Sequence, residues 1–387
     1  MKQHVDRLLK HFIENGPSGV ALSVRRNQHT LYENYLGYSD IEKKVQISAD
    51  TIYRIYSMSK LVTCVAALQL YEQGRYLLND PVSNYLPEFA EMKVYKSGQE
   101  ENIQVEAAQN PILVKDLFKM TSGICYGGSG SEVEKLTSKV MATAHKLEKK
   151  EGSSNLREFV KQLAKLPLEF EPGSHWKYGL SHDVLGALIE VISGKSFGEY
   201  LYTNIFEPLG MKDTFFQIPK EKKHRLATLY DRLEDGTLVP NNALDRDSEP
   251  IAVFESGGAG LHSTLNDYQR FAHCLATGGT ANGIHILSQN TIQLLAQNHL
   301  LDSQLPDLGW NYENGYGYGL GVRVMMDQVI GGSNSSLGEF GWSGLAGTYV
   351  FIDPKKKLSA VYMQQMLPNL EFYHQPRIRN VIYGAIH

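Results

Sequence analysis

Residues 53–73, YRIYSMSKLVTCVAALQLYEQ, constrain this chain more than any other stretch. Ser57-Met58-Ser59-Lys60 opens a run kept continuously apolar by Val62, Val65, Ala66, Leu68, Leu70 and Tyr71, and Gly74 stops it. Glycine just past the last helical residue is the usual stop, so the pattern predicts a buried helix over about residues 57–73. On a first helical turn, residues i and i+3 share a face, with Cβ atoms about 5–6 Å apart. Ser57 Oγ and Lys60 Nζ can therefore meet at a helix N-terminus, where free N–H groups and the dipole favour developing negative charge. A serine hydroxyl is a weak nucleophile until a neighbouring base takes its proton. A lysine becomes that base when burial lowers its pKa toward neutrality. On a solvent-facing helix the same residues would be a cap and a snorkelling side chain, so the tetrad alone does not decide. Ser174-His175-Trp176-Lys177 repeats the spacing, but it follows the turn Glu171-Pro172-Gly173 and starts no apolar helix. It is set aside as a nucleophile.

A chain of 387 residues buries a large core and is long enough for two lobes. Its 42% apolar and 21% charged residues are ordinary for a soluble globular protein, and a net charge of −4 gives no electrostatic case for nucleic acid or an anionic membrane as partner. Cys64, Cys125 and Cys274 are odd in number and far apart, without disulfide or metal spacing, and are expected as buried free thiols. None of the histidines shows a His-x-x-x-His spacing. The first residues, MKQHVDRLLKHFIENG, form an amphipathic helix pattern without the apolar core of a secretory signal, and no later segment reaches about 18 apolar residues. With Met1 as native start, the expected location is cytoplasmic.

Residues 19–25 alternate as a strand, 26–28 turn, and 31–36 return as a hairpin partner. Residues 51–55 are an extended entry to the Ser57 helix. From 82 to about 250 the texture is helices and loops: 114–120; a charged helix after the capping box Ser131-Glu134, running to about 150; 155–166; 181–193, capped at Ser181 and closed by Gly194; and 197–206. Residues 256–261, SGGAGL, lack phosphate-loop spacing and read as tight packing near a pocket ahead of a helix at 265–276. Strands are expected again at 318–324, 347–352 and 358–363, with a closing helix at about 373–386. The division expected is one α/β lobe from 1–80 and 290–387, a mainly helical lobe from 81–289, and an active site between them.

Ser57-x-x-Lys60, Tyr178-Gly179-Leu180 and Trp342-Ser343-Gly344 occur in that order. The set resembles the serine β-lactamase and penicillin-binding-protein superfamily, which carries Ser-x-x-Lys, then Tyr-x-Asn or Ser-x-Asn, then Lys-Thr-Gly or His-x-Gly. Residues 77–89, 117–123, 258–264 and 347–354 are similar to family segments as well, so the likeness spans about residue 20 to about residue 365. It is closest to the class C β-lactamase-like branch, which includes the family VIII carboxylesterases. The resemblance implies an α/β, β-lactamase-like fold: an antiparallel sheet flanked by helices, built from both termini, with the helical lobe inserted. It also implies that Ser57 forms an acyl-enzyme, that Lys60 and Tyr178 share the base role, and that Tyr178 protonates the leaving alkoxide. The backbone N–H groups of Ser57 and Leu345 would form the oxyanion hole, Trp342, Ser343 and Gly344 would contact substrate, and Tyr126 would line the acyl pocket.

Two departures bear on substrate. Leu180 replaces the asparagine of the tyrosine motif, with Ser181 or His182 as stand-ins, although Ser181 also suits a helix cap. Trp342 replaces the cation of the third motif and offers an apolar face and one N–H donor. Both favour uncharged acyl substrates. Gly341-Trp342-Ser343-Gly344-Leu345 nearly matches a Gly-x-Ser-x-Gly elbow, but its flanks read strand–turn–strand, so Ser343 is set aside as nucleophile. The expectation is a serine hydrolase for small uncharged carboxylic esters, with a small-molecule acyl substrate as partner, no cofactor and the oligomeric state open. The alternatives are a weak β-lactamase or D-alanyl peptidase, which Trp342 and the missing signal disfavour, an acyltransferase using the same groups, and a penicillin-binding-like protein without turnover.

Overall fold

Alternation of Val20, Leu22 and Val24 with Ala21 and Ser23 makes the strand Gly19–Arg26 apolar on both faces, and the fold buries both. The computed structural model describes residues 1–99, 102–144, 156–241, 255–281 and 283–386. Gly19–Arg26 lies inside an eight-stranded sheet whose order is Tyr316–Tyr318, Arg323–Met325, Phe340–Ser343, Tyr349–Asp353, Leu358–Met363, Gly19–Arg26, His29–Asp40, Val45–Gln46. All neighbours are antiparallel. The N-terminal strand therefore pairs with the C-terminal one, Val24 opposite Ala360, and both ends of the chain build one sheet.

The terminal helices Lys2–Asn15 and Glu371–Gly384 cover one face. Val5, Leu9, Phe12, Ile378 and Ile382 pack there on Val20, Leu22, Phe351 and Tyr362. On the other face Val350, Ile352, Val361 and Met363 join the main core with the helix Ser59–Glu72, which is buried from Ser59 through Leu68 on every side. A helix apolar all round belongs at the centre of a large core. The helix Ser181–Ser193 packs beside it, with Val184, Leu185, Leu188 and Ile189 in the same core.

Several sequence expectations change. The strand over 318–324 is two strands, Tyr316–Tyr318 and Arg323–Met325, because Gly321 (φ +86°) sits in a turn closed by the Gly319 N–H to Val322 carbonyl bond. The 82–250 stretch holds two hairpins, Lys93–Ser97 with Gln104–Ala107 and Tyr230–Arg232 with Leu238–Pro240. Their residues are mostly polar or exposed, so no alternation marked them. The helix Leu265–Ala276, expected with the helical lobe, packs against Leu358–Met363 and Gly19–Arg26. The charged helix is described as Glu132–Ala144; its expected continuation to about 150 lies outside the described residues. No helix among the described residues is long and apolar enough to cross a membrane.

Candidate active site

The strand Ile52–Arg54 pairs antiparallel with His262–Thr264 and leads into a tight turn, Tyr56–Met58, from which the helix Ser59–Glu72 continues. Ser57 sits on that turn. Tyr56, just before it, has φ +42°, a conformation that L-residues reach only when their surroundings enforce it. The enforcing contacts are specific. The Ile55 N–H donates to the Leu261 carbonyl (3.1 Å), the Tyr268 hydroxyl to the Met58 carbonyl (2.8 Å), and the Leu261 N–H to Ser59 Oγ (3.0 Å).

Lys60, one turn on, is completely buried. Its Nζ donates to Ser57 Oγ (3.1 Å), to the Tyr126 hydroxyl (2.9 Å) and to the Gly258 carbonyl (2.7 Å). Three N–H donors meet three acceptors, which is the pattern of an ammonium. Burial alone pulls Lys60 down, but the phenols of Tyr126 and Tyr178 outweigh it and hold the group above its ordinary value. The direction is opposite to the expected fall toward neutrality, and its cause is charge interaction with the two tyrosines, followed by hydrogen bonding to them. Burial also pushes the Tyr126 phenol up, only partly offset by the Lys60 charge.

Tyr178 lies across the same ammonium, with Lys60 Nζ 4.5 Å from its ring centre, and its ring is 5.5 Å from that of Tyr126. The Trp342 indole N–H donates to the Tyr178 hydroxyl at 3.0 Å. Trp342 is only 4% exposed, boxed by Tyr318, Trp310 and Tyr178, so it backs Tyr178 instead of opening a broad face to substrate. Tyr126, expected as a pocket wall, is a direct partner of Lys60.

The strand Phe340–Ser343 delivers the third motif alongside the Ser57 turn. A Cβ at Gly344 would lie 2.2 Å from Thr348 Oγ1 and 2.4 Å from the Ile55 carbonyl, so only glycine allows this approach. No backbone carbonyl among the described residues takes the N–H of Ser57 or of Leu345. Ser343 Oγ donates to Glu371 Oε2 at 2.9 Å and is not joined to the Lys60 cluster.

Other sequence candidates are placed elsewhere. Leu180 is buried in the main core, Ser181 Oγ pairs with Ser122 Oγ (2.9 Å), and His182 Nε2 meets the Phe118 carbonyl (3.1 Å). None of the three stands in for the missing asparagine at Lys60. The second Ser-x-x-Lys is a surface turn: Ser174 Oγ bonds the Glu171 carbonyl, and Lys177 is paired with Glu134 (2.8 Å) and Glu169 (3.2 Å).

One residue of the cluster, Asp183, was not singled out by the sequence. Asp183 is fully buried and accepts from Ser256 Oγ at 2.6 Å, and burial pushes its carboxyl up. A Cβ at Gly258 would lie 2.8 Å from Asp183 Oδ2, 3.2 Å from the Tyr126 hydroxyl and 3.5 Å from Lys60 Nζ, so the glycine-rich turn closes tightly around all three. The available signal is a carboxylate on the first turn of the mainly apolar helix SHDVLGALIEVIS, a place where acidic residues are common. Among the described residues no group of three or more His, Cys, Asp and Glu side chains could hold a metal ion.

Residues 5–381 of the chain match the beta-lactamase family model. The chain belongs to the beta-lactamase family. It is 30% identical over 358 residues to Protein Rv1367c of Mycobacterium tuberculosis, covering 91% of this chain and 87% of that protein. It is 27% identical to Esterase EstB of Burkholderia gladioli, covering 89% and 85% respectively. Among solved structures, EstCE1, a hydrolase with promiscuous acyltransferase activity, superposes with a TM-score of 0.81 at 24% identity, covering 99% of this chain and 98% of that one. The beta-lactamase-like fold here brings Ser57, Lys60, Tyr126, Tyr178 and Trp342 into one cluster of contacts.

Proposed function

We propose that this protein is a serine hydrolase that cleaves small, uncharged carboxylic esters through an acyl-enzyme on Ser57. The observation that carries the reading is Trp342, a buried indole whose N–H is committed to Tyr178, where the third motif would otherwise supply a cation. A substrate carboxylate has to exchange its water shell for protein donors, and without a charged partner that exchange is unfavourable. An uncharged ester meets no such barrier. The likeness to an esterase at 27% identity supports the same choice.

In this mechanism Ser57 Oγ attacks the ester carbon while the carbonyl oxygen enters the site of the Ser57 and Leu345 N–H groups. Lys60, Tyr126 and Tyr178 act as one titrating unit. The reactive form has one proton fewer than the resting ammonium–diphenol set, and Ser57 gives its proton to that form. Tyr178, oriented by Trp342, returns the proton to the leaving alkoxide. Water then attacks the acyl-enzyme by the reverse relay.

The test is a comparison of kcat/KM for short-chain p-nitrophenyl esters and for nitrocefin. The esters are expected to be better by at least ~10²-fold, the ratio that a lost interaction of about 3 kcal/mol produces. Equal efficiencies would overturn the ester reading in favour of a β-lactamase.

A further inference from the structure

Glu371 opens the C-terminal helix Glu371–Gly384 and reaches back to the third motif. Its Oε2 accepts from Ser343 Oγ (2.9 Å) and from Gln375 Nε2 (3.1 Å), and the Tyr312 phenol lies against the same carboxylate, pushed up by burial and then by the charges of Glu313 and Glu371. Several donors converging on one group is the environment of a carboxylate anion. The segment before it grips the same strand end: Asn369 Nδ2 donates to the Leu345 carbonyl (3.0 Å), and the Glu371 N–H donates to Asn369 Oδ1 (3.0 Å). A negative charge is therefore fixed two residues from the Leu345 N–H, on the hydroxyl beside the oxyanion turn. A cavity of about 400 Å³, connected to Glu371 through Glu313, whose charge interacts with that carboxylate, is walled by Leu308, Trp310, Tyr316, Met326 and Ile330, and its charged lining residues are Glu313 and Asp327, both acidic. Buried Arg323 stands 3.7 Å from Glu313 and offsets that charge, which leaves Glu371 as the carboxylate nearest the reacting strand end.

We propose that Glu371 is a specificity-determining residue: its carboxylate repels substrates with a negative charge near the scissile ester and admits neutral and cationic apolar ones. The inference rests on the ester-hydrolase reading and adds to it. Trp342 removes an attraction for anions, whereas Glu371 supplies a repulsion, and a mismatched charge beside a site discriminates more sharply than a missing partner. Trp310, partly buried and 5.9 Å from both Tyr178 and Trp342 by ring centres, links that cavity to the site and is an aromatic lining that suits a cationic or neutral group.

The experiment uses matched esters carrying a carboxylate, a methyl carboxylate or a trimethylammonium group, in one set on the acyl side of p-nitrophenyl esters and in another on the phenol side of phenyl acetates. Acylation of Ser57 is read from the phenol burst, so a protein that acylates without turnover still reports. Intrinsic reactivity cancels in the ratio of Glu371→Gln to the unmodified chain. The glutamine retains an acceptor for Ser343 Oγ while losing the charge. In at least one set, the expected ratio is tenfold or more for the anionic ester, near one for the neutral ester and below one for the cationic ester. Added salt should speed anionic acylation more in the unmodified chain than in the variant, because one screened charge is gone. Ser343→Ala, which keeps the charge, should keep the discrimination. Equal ratios for all three esters in both sets, or discrimination lost in Ser343→Ala and kept in Glu371→Gln, overturn the role of Glu371. A burst with no further turnover of any ester would instead count against the hydrolase reading alone.

Discussion

At the residue scale the site turns on how Lys60 is satisfied. An apolar helix start should depress a lysine, yet the buried ammonium finds Ser57 Oγ, the Tyr126 hydroxyl and the Gly258 carbonyl, and it is held up. The spacing of Ser57 and Lys60 was legible because i and i+3 adjacency follows from helix geometry alone. The Tyr126 partnership was not, because it depends on where a loop 66 residues downstream crosses the helix start. Trp342 shows the same limit: its type was readable, but its use as a donor to Tyr178 needs the tertiary contact. That contact is testable. Tyr178→Phe should lower kcat on an unactivated ester by roughly 10²-fold or more, within the range of a general acid–base group. Trp342→Phe keeps an aromatic ring and removes the N–H, and should lower kcat about fivefold, as loss of one net hydrogen bond of about 1 kcal/mol suggests. Near-normal kcat in Tyr178→Phe, with unchanged circular dichroism, would reduce Tyr178 to packing.

Elements bring these residues together through close approaches that side chains would block. The strand end at Gly344 lies on the Ile55 carbonyl, and a methyl group there has no space. Gly344→Ala should therefore push the Leu345 N–H away from the Ser57 turn and lower kcat by about 10²–10³, the usual loss of one oxyanion donor. Steady-state kinetics together with a thermal melt checks this: activity lost while the melt survives fits the account, and undiminished kcat contradicts it. The same contrast explains what was legible among elements. The long buried helix and the hairpin 19–36 carry strong apolar periods, and both are present as Ser59–Glu72 and as Gly19–Arg26 with His29–Asp40. The short hairpins at 93–107 and 230–240 face solvent along much of their length, so nothing in their composition separated them from loops. Asp183 hid because helix-start carboxylates are common, and only the packing of Ser256–Gly258 against it reveals a buried acid.

For the whole molecule, two buried histidines couple the fold to pH. Burial pushes His182, assisted by the Lys60 charge, down to about 3, and His374 down to about 4. Both are neutral in the folded chain, whereas unfolded histidine titrates near 6.5. Their contribution to stability is complete above about pH 6.5 and is lost as pH falls through the interval down to those folded values, by up to about 1.4 kcal/mol per pH unit for each. His273 and His299 are also lowered by burial, while Glu313, raised to about 7, acts in the opposite direction, so the test is differential. His182→Asn should make the urea midpoint depend less on falling pH than in the unmodified chain between pH 7 and about pH 5. An identical pH dependence in His182→Asn and the unmodified chain would show that this imidazole is not held neutral. The central claim, however, is an acyl-enzyme on Ser57, and it is tested most directly by trapping it. The protein is mixed with a p-nitrophenyl ester, quenched in acid at short and long times, digested and mapped by mass spectrometry. An acyl group on the peptide carrying Ser57, decaying as free acid accumulates and absent in Ser57→Ala, is the predicted result; an acyl group on any other residue, or full ester turnover by Ser57→Ala, would contradict it.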